Sequence, residues 1–369
     1  MTSHPTTGLL RDMRAHSLAV LTQSQHRSGA FPAALGYPVY NYCWFRDGAF
    51  VAEALSQVGE SDSATRFHQW CRQVIDDRTV GIRDLVQRSA DGEKIAGSEM
   101  LPTRYTLDGK EGTEDWWDYQ LDGYGTWLWA LVQHLNRHDL DPAPYLPAVE
   151  TTVSYLCAFG DQPCFDWWEE FEQHRHVSTL ASVVAGLRAA ETILSGEVAV
   201  DAAQAARRLQ SLIVECGHEA GHLPKWIGST AVDASLLSVM VPYGVIEPGT
   251  RIGEATYRKI LSDLVADGVY RYRGDTFYGG GEWINLTAWL GLYEATTGRI
   301  GQAKNRRDWI LAQAKPNGDL PEQVATNAQA PERIAEWEQR WGTVATPLLW
   351  SHAMFLTLDH ILEQREDET

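Results

Sequence analysis

No stretch of 18 consecutive apolar residues occurs in this 369-residue chain, so no segment reads as a membrane-crossing helix. Met1 to Arg14 lack the apolar core of a secretory signal, which leads us to expect a cytoplasmic protein. Positive charge is in short supply: 31 Lys and Arg stand against 49 Asp and Glu, a formal net charge of −18. That balance argues against nucleic acid and anionic membranes as partners, since both reward basic patches. Cysteine is sparse and odd in number, at Cys43, Cys71, Cys157, Cys164 and Cys216, with no CxxC pair. These read as free thiols of a reducing compartment and exclude a zinc knuckle. HExxH spacing is absent, and His174 and His176 at i, i+2 do not share a helix face, so no metal is expected. Alternating strand patterns, Ser/Pro-rich linkers, low-complexity tracts and exact repeats are also lacking.

Tryptophan, by contrast, is abundant at 15 residues, more than packing usually needs, and hydrophobic residues make up 44% of the chain. An acidic protein rich in flat aromatic surface points to neutral carbohydrate. Helical periodicity recurs. Leu180, Val183, Val184 and Leu187 follow i, i+3, i+4, i+7 after a candidate N-cap at Ser178. Leu286, Leu290 and Tyr293 repeat after the Gly279–Gly281 turn, and Trp127, Leu128, Leu131 and Leu135 form another stripe. A further stripe, Ala49, Phe50, Ala52 and Leu55, begins just after Asp47. Thr346-Pro347 reads as an N-cap and first helical residue ahead of Leu349, Ala353 and Leu356. The chain therefore reads as all-α, with about a dozen helices in one domain over residues 1–369, an arrangement that suits a toroid of inner and outer helices.

Chemistry gathers in five loops, each ahead of an apolar helical stripe. The most informative is Phe165-Asp166-Trp167-Trp168-Glu169-Glu170, where two carboxylates adjoin two indoles. Indole walls raise a carboxyl pKa, as a general acid at neutral pH requires; an aromatic turn with solvated glutamates is the plainer alternative. Tyr40 to Asp47 ends in an adjacent Arg46 and Asp47 that can grip neighbouring sugar hydroxyls, or simply place an acid at a helix N-terminus. Trp116-Trp117-Asp118-Tyr119-Gln120 is a second aromatic wall. Arg271 and Asp275 offer another hydroxyl grip before Phe277, the glycines and Trp283, and Glu322 follows the Asn317-Gly318 turn.

The motifs carried by these loops resemble those of the glucoamylase family, glycoside hydrolase family 15, across nearly the whole chain. Tyr40 to Asp47 meets Tyr-x-Tyr-x-Trp-x-Arg-Asp, and Trp168-Glu169-Glu170 meets the acid motif. Arg271 to Thr276 meets Arg-Tyr-x-x-Asp-Thr, and Glu322-Gln323 meets the base motif. The resemblance implies an (α/α)6 barrel and exo-hydrolysis with inversion at the anomeric centre, without metal or organic cofactor. Glu169 would be the general acid and Glu322 the general base, with Tyr40 beneath the reacting carbon. Arg46 and Asp47 would hold the far hydroxyls of the terminal glucose, Arg271 those near the scissile bond, and Glu170 the departing sugar. Trp116, Gln120, Trp168 and Trp283 would line the pocket, with Trp44, Asp275 and Phe277 in the same substrate-binding set.

Three departures from the family pattern shape the expected substrate. The motifs begin by residue 40, leaving no room for the β-sandwich or starch-binding modules of larger members, so short oligosaccharides are favoured over raw starch. Phe277 stands where longer enzymes often carry tyrosine, which would leave the Tyr40 hydroxyl freer to titrate or act on water. Glu282, beside Trp283, would either restrict the leaving-sugar site or sit solvated on the rim. Together these resemble barrel-only relatives that prefer α-1,6 glucosides such as isomaltose, the substrate the resemblance leads us to expect. Trehalose- or maltose-directed hydrolysis is the nearest alternative, and phosphorolysis is disfavoured by the presence of Glu322. A non-catalytic sugar-binding module should have lost one of the two carboxylates.

Overall fold

The computed structural model describes residues 5–114, 116 and 119–367. Trp117 and Asp118 of the second aromatic loop lie outside the described residues. Among the described residues the chain forms α1 (Pro5–Ser24), α2 (Phe45–Gln57), α3 (Ser61–Asp76), α4 (Thr79–Ala90), α5 (Asp122–Arg137), α6 (Leu146–Phe159) and α7 (Val177–Glu191). Then follow α8 (Gly196–Ala220), α9 (Leu237–Met240), α10 (Arg251–Leu264), α11 (Ile284–Thr296), α12 (Ile300–Gln313), α13 (Ile334–Trp341) and α14 (Leu349–Asp367).

Six of these helices form a closed inner ring. Helix α2 packs on α5, α5 on α7, α7 on α9, α9 on α11, α11 on α14, and α14 returns to α2. The middle of a helix in this ring meets protein on most sides, so small and polar residues are buried there along with apolar ones. Asp122–Val132 of α5, Val177–Leu187 of α7 and Ile284–Ala295 of α11 are buried without interruption. The outer layer packs against them: α1 on α14, α3 on α2, α8 on α7 and α12 on α11. This is the (α/α)6 toroid that the resemblance implies. Helices α5 and α7 cross tightly: a Cβ on Gly125 would strike the Ser182 backbone and one on Gly186 would strike the Gly125 backbone. Glycine at both positions lets the two backbones touch.

Two small antiparallel ribbons brace one end of the ring. Strand β1 (Tyr42–Trp44) pairs with β2 (Arg104–Thr106), and β3 (Glu282–Trp283) pairs with β4 (Gln323–Val324). Both β1 and β3 run straight into an inner helix, α2 and α11, so each ribbon fixes the loop at that helix's N-terminus. Two helix starts differ from the sequence expectation. Helix α7 begins at Val177 with His176 as its N-cap residue, so Ser178 lies within it. Thr346 and Pro347 precede α14, which begins at Leu349, and the Thr346 hydroxyl donates to the Val344 carbonyl instead of capping the helix.

Candidate active site

The five loops singled out in the sequence all converge at the N-terminal ends of inner helices α2, α5, α7, α11 and α14. They enclose a cavity open to solvent at one side and walled mostly by aromatic rings. Tyr40, Trp44, Arg46, Asp47, Trp116, Trp168, Glu169, Glu170, Arg271, Phe277, Trp283 and Glu322 line it. So do Trp167, Trp337, Trp341 and Trp350.

Glu169 is displayed by a tight turn built on Asp166. The Asp166 carboxylate accepts the backbone N–H of Trp168 and of Glu170, each at 2.9 Å, while Glu169 N–H donates to the Asp166 carbonyl. Glu169 itself adopts φ 64°, and Phe171 φ 56°. Left-handed backbone costs a non-glycine residue about 1–3 kcal/mol, and such strain concentrates at functional sites. The carboxyl is gripped by two indoles from other loops: Trp44 Nε1 donates to Oε1 at 2.6 Å and Trp116 Nε1 to Oε2 at 2.9 Å. Its immediate sequence neighbours do different work. Trp168 Nε1 donates to Asp233 at 2.9 Å, and the Trp167 ring lies under the Arg46 guanidinium. Burial pushes the Glu169 carboxyl up to about 7, against the opposing pull of Arg46 and the Trp44 hydrogen bond.

Glu322 enters from the segment before β4, held by its N–H on the Ala345 carbonyl at 2.9 Å and by Ile284 N–H on its own carbonyl at 3.2 Å. Gln323 fastens the facing glycine turn, accepting Gly281 N–H at 2.8 Å and donating to the Phe277 carbonyl at 3.1 Å. Glu322 is 3% exposed, and Tyr40 donates its hydroxyl to Oε1 at 3.0 Å. Burial pushes this carboxyl up to about 8, with the Tyr40 bond opposing the shift. Oε2 is buried and has no hydrogen-bond partner among the described residues. Phe277 has no hydroxyl to offer Tyr40, yet Tyr40 is not thereby released. Its hydroxyl is committed to Glu322, and burial together with that neighbouring charge raises its pKa well above the tyrosine value.

The opposite part of the cavity carries the charged pair. Arg46 donates to Gln120 Oε1 and Asp122 Oδ2, both at 2.9 Å, and its Nε lies 3.2 Å from Asp47 Oδ2. Its guanidinium is flanked by Trp167 and Trp350, 5.8 and 5.5 Å from the ring centroids. Burial opposes the Arg46 charge, but Asp122 and Asp47 keep its pKa above the arginine value. Asp47 is pushed up to about 6, by burial first and by Asp122, against the pull of Arg46. Glu170 accepts the Tyr272 hydroxyl at 2.5 Å, and burial raises it too.

Two of the expected binding residues stand behind the wall instead of in it. Gln120, 1% exposed, is taken up by Arg46 and by the Thr103 hydroxyl at 2.8 Å. Asp275 pairs bidentately with Arg271, at 2.7 and 2.5 Å, accepts Phe277 N–H at 2.9 Å, and is buried outside the cavity lining. Glu282 is neither a rim residue nor a leaving-site barrier. It is fully buried on the strand face opposite Trp283 and accepts the N–H groups of Asp267 and Gly268 at 2.8 and 2.6 Å. Trp337, Trp341 and Trp350 went unselected in the sequence. The first two sit at i, i+4 on the short α13, a spacing that could have marked them as one aromatic face.

Among the described residues, His16, Asp319 and His352 bring possible metal ligands within 4.8 Å of one another. His352 Nε2, however, accepts Leu320 N–H at 3.0 Å and Nδ1 is bonded to the Ser17 hydroxyl at 2.9 Å. Both ring nitrogens are thereby used to steady the loop that leads to Glu322. No helix among the described residues is long and apolar enough to cross a membrane.

Comparison with known proteins agrees with this geometry. The profile of glycosyl hydrolases family 15 matches residues 11–340. Isomaltose glucohydrolase from Kribbella flavida is 46% identical over 354 residues, covering 95% of this chain and 92% of that protein. A solved wild-type glycosidase superposes with a TM-score of 0.95 at 44% identity, covering 98% of this chain and 99% of its own. A glycosidase variant in complex with glucose gives the same figures: TM-score 0.95, 44% identity, 98% and 99% coverage. A bacterial glucoamylase complexed with acarbose shares the fold, at TM-score 0.74 and 22% identity over 96% of this chain and 57% of that one. With the family profile spanning most of its length and an aromatic cavity holding paired acids, the chain belongs to glycosyl hydrolases family 15 and is a glycoside hydrolase.

Proposed function

We propose that this enzyme is an exo-acting, inverting α-glucoside hydrolase that releases β-glucose from the non-reducing end of short α-glucosides, with isomaltose and its α-1,6 homologues preferred. The observation that carries the proposal is the pair of raised carboxyls, Glu169 and Glu322, brought from distant loops to one tryptophan-lined cavity. Arg46 and Asp47 grip the hydroxyls of the terminal glucose. Glu169 gives its proton to the leaving glycosidic oxygen as that bond breaks. Water attacks the anomeric carbon from the opposite face and passes a proton to Glu322, which inverts the centre. Tyr40 holds Glu322 and lends an electron-rich ring to the developing oxocarbenium charge.

This division of labour needs Glu322 charged while Glu169 is neutral, yet Glu322 lies higher, at about 8 against about 7. In the substrate complex, the attacking water donating to Glu322 Oε2 would favour the carboxylate and lower it. The α-1,6 preference is supported by the likeness to isomaltose glucohydrolase. Proton NMR with isomaltose, maltose and trehalose in parallel tests the whole proposal. The expected result is β-glucose as the first anomer, fastest from isomaltose. First release of α-glucose overturns the inverting mechanism, and faster release from maltose or trehalose overturns the linkage preference.

A further inference from the structure

Behind the turn that displays Glu169, and outside the cavity lining, lies a buried ion cluster. Lys225 is 4% exposed, with Nζ 3.2 Å from Asp166 Oδ2 and 3.0 Å from Asp233 Oδ2. Burying an ammonium is costly unless carboxylates repay it, and here two of them do. Those same carboxylates anchor the turn from two sides. Asp166 Oδ1 takes the backbone N–H of Trp168 and Glu170, each at 2.9 Å. Asp233 Oδ2 takes the indole N–H of Trp168 at 2.9 Å, and its Oδ1 takes Ser235 N–H at 2.8 Å. The ammonium also lies 3.5 Å from the centroid of Tyr272, whose hydroxyl donates to Glu170. One cation thus touches an anchor of Trp168, of Glu170 and of the backbone around Glu169.

The turn requires such anchoring. Glu169 and Phe171 both hold left-handed backbone, φ 64° and 56°, from which side-chain-bearing residues relax when unrestrained. Without the ammonium, Asp166 and Asp233 become two buried like charges, and one must take up a proton or move. Either event weakens the bonds to Trp168 and Glu170.

We propose that Lys225 is a positioning residue for Glu169, holding the turn so that the carboxyl stays aimed at the leaving oxygen. The proposal rests on the general-acid role of Glu169, and its test separates the two. Lys225→Met keeps the length of the side chain and removes the charge. Its turnover is compared on the preferred disaccharide, whose sugar leaving group needs a proton, and on α-glucosyl fluoride, whose fluoride departs with little acid assistance. The disaccharide rate should fall about 100-fold or more, the scale of general-acid assistance, and the fluoride rate less than about 10-fold. Asp233→Asn, which keeps an acceptor for the Trp168 indole, should show a weaker loss of the same selectivity and serves if Lys225→Met does not fold. Equal losses on both substrates, or no loss on either, in the folded variants overturn the positioning role. Glu169→Gln is measured alongside. Selective loss there with even loss in Lys225→Met rejects only the inference about Lys225, whereas even losses in both reject the acid role beneath it.

Discussion

Glu169 owes its proton affinity to residues far from it in sequence. Burial raises the carboxyl, and the Arg46 charge and the Trp44 N–H, which stabilise the charged form, hold the rise in check. Trp44→Phe removes that donor, so the Glu169 pKa should climb further. The limb of kcat/KM against pH that reports Glu169 should then move to higher pH by about one unit, the worth of one hydrogen bond to a charged group. A limb that stays in place, or moves down, would show that Trp44 does not tune this carboxyl. Across the cavity, Glu322→Ala should lower hydrolysis by about 1,000-fold or more. Azide, small enough to enter the space left by the side chain and needing no base, should partly restore turnover with β-glucosyl azide as product. Wild-type-like hydrolysis without azide would remove Glu322 from the base role.

At the scale of elements, α13 is the unusual piece. None of its residues is buried, and it is tethered by Trp337 Nε1 on the Thr276 carbonyl at 2.8 Å and the Tyr278 hydroxyl on the Gly342 carbonyl at 2.9 Å. It presents Trp337 and Trp341 to the cavity. Trp341 stacks on Trp116, with centroids 6.1 Å apart and planes at 29°. The two rings form a wall shared with a second cavity that Pro38, Val39 and Arg340 also line. We expect a leaving group longer than one sugar to meet that wall. Trp341→Ala should merge the two spaces and raise the ratio of kcat/KM for a trisaccharide over its disaccharide by about 10-fold, within what one indole's contact surface supports. Measuring the ratio in both the α-1,6 and α-1,4 series makes it independent of linkage. An unchanged ratio would assign the length limit to another part of the rim.

For the molecule as a whole, an inner ring of helices aims its N-termini at one end, and Asp47, Glu169, Glu170 and Glu322 gathered there carry raised pKa values. This couples stability to pH in a definite sense. A carboxyl whose folded pKa lies above its ordinary 4.5, as for Glu169 at about 7 and Glu322 at about 8, stabilises the fold fully below 4.5. That contribution is lost as pH rises through the folded values. The Tm of the sugar-free enzyme should therefore decline between about pH 5 and pH 9, and Glu322→Gln, which cannot ionise, should decline less. Thermal denaturation across this range is the check; a wild-type Tm that climbs with pH through the window would contradict the raised carboxyls.

The sequence alone determined that this chain is helical and where its chemistry is concentrated. Apolar spacing within one helix and a motif such as Trp168-Glu169-Glu170 are local, and locality is what a linear pattern can express. It also sufficed for the (α/α)6 toroid through resemblance to the family. Only the tertiary structure decided which indoles hold Glu169, since Trp44 and Trp116 reach it from other loops while its neighbour Trp168 turns away to Asp233. The same holds for Gln120 and Asp275, expected as sugar ligands but turned to Arg46 and Arg271 outside the cavity lining. Glu282, next to a cavity-lining tryptophan, faces the other way because strand side chains alternate. Lys225 has no motif at all around it. Its partners, Asp166 and Asp233, come to it from separate loops, and a buried charge takes its meaning from such partners.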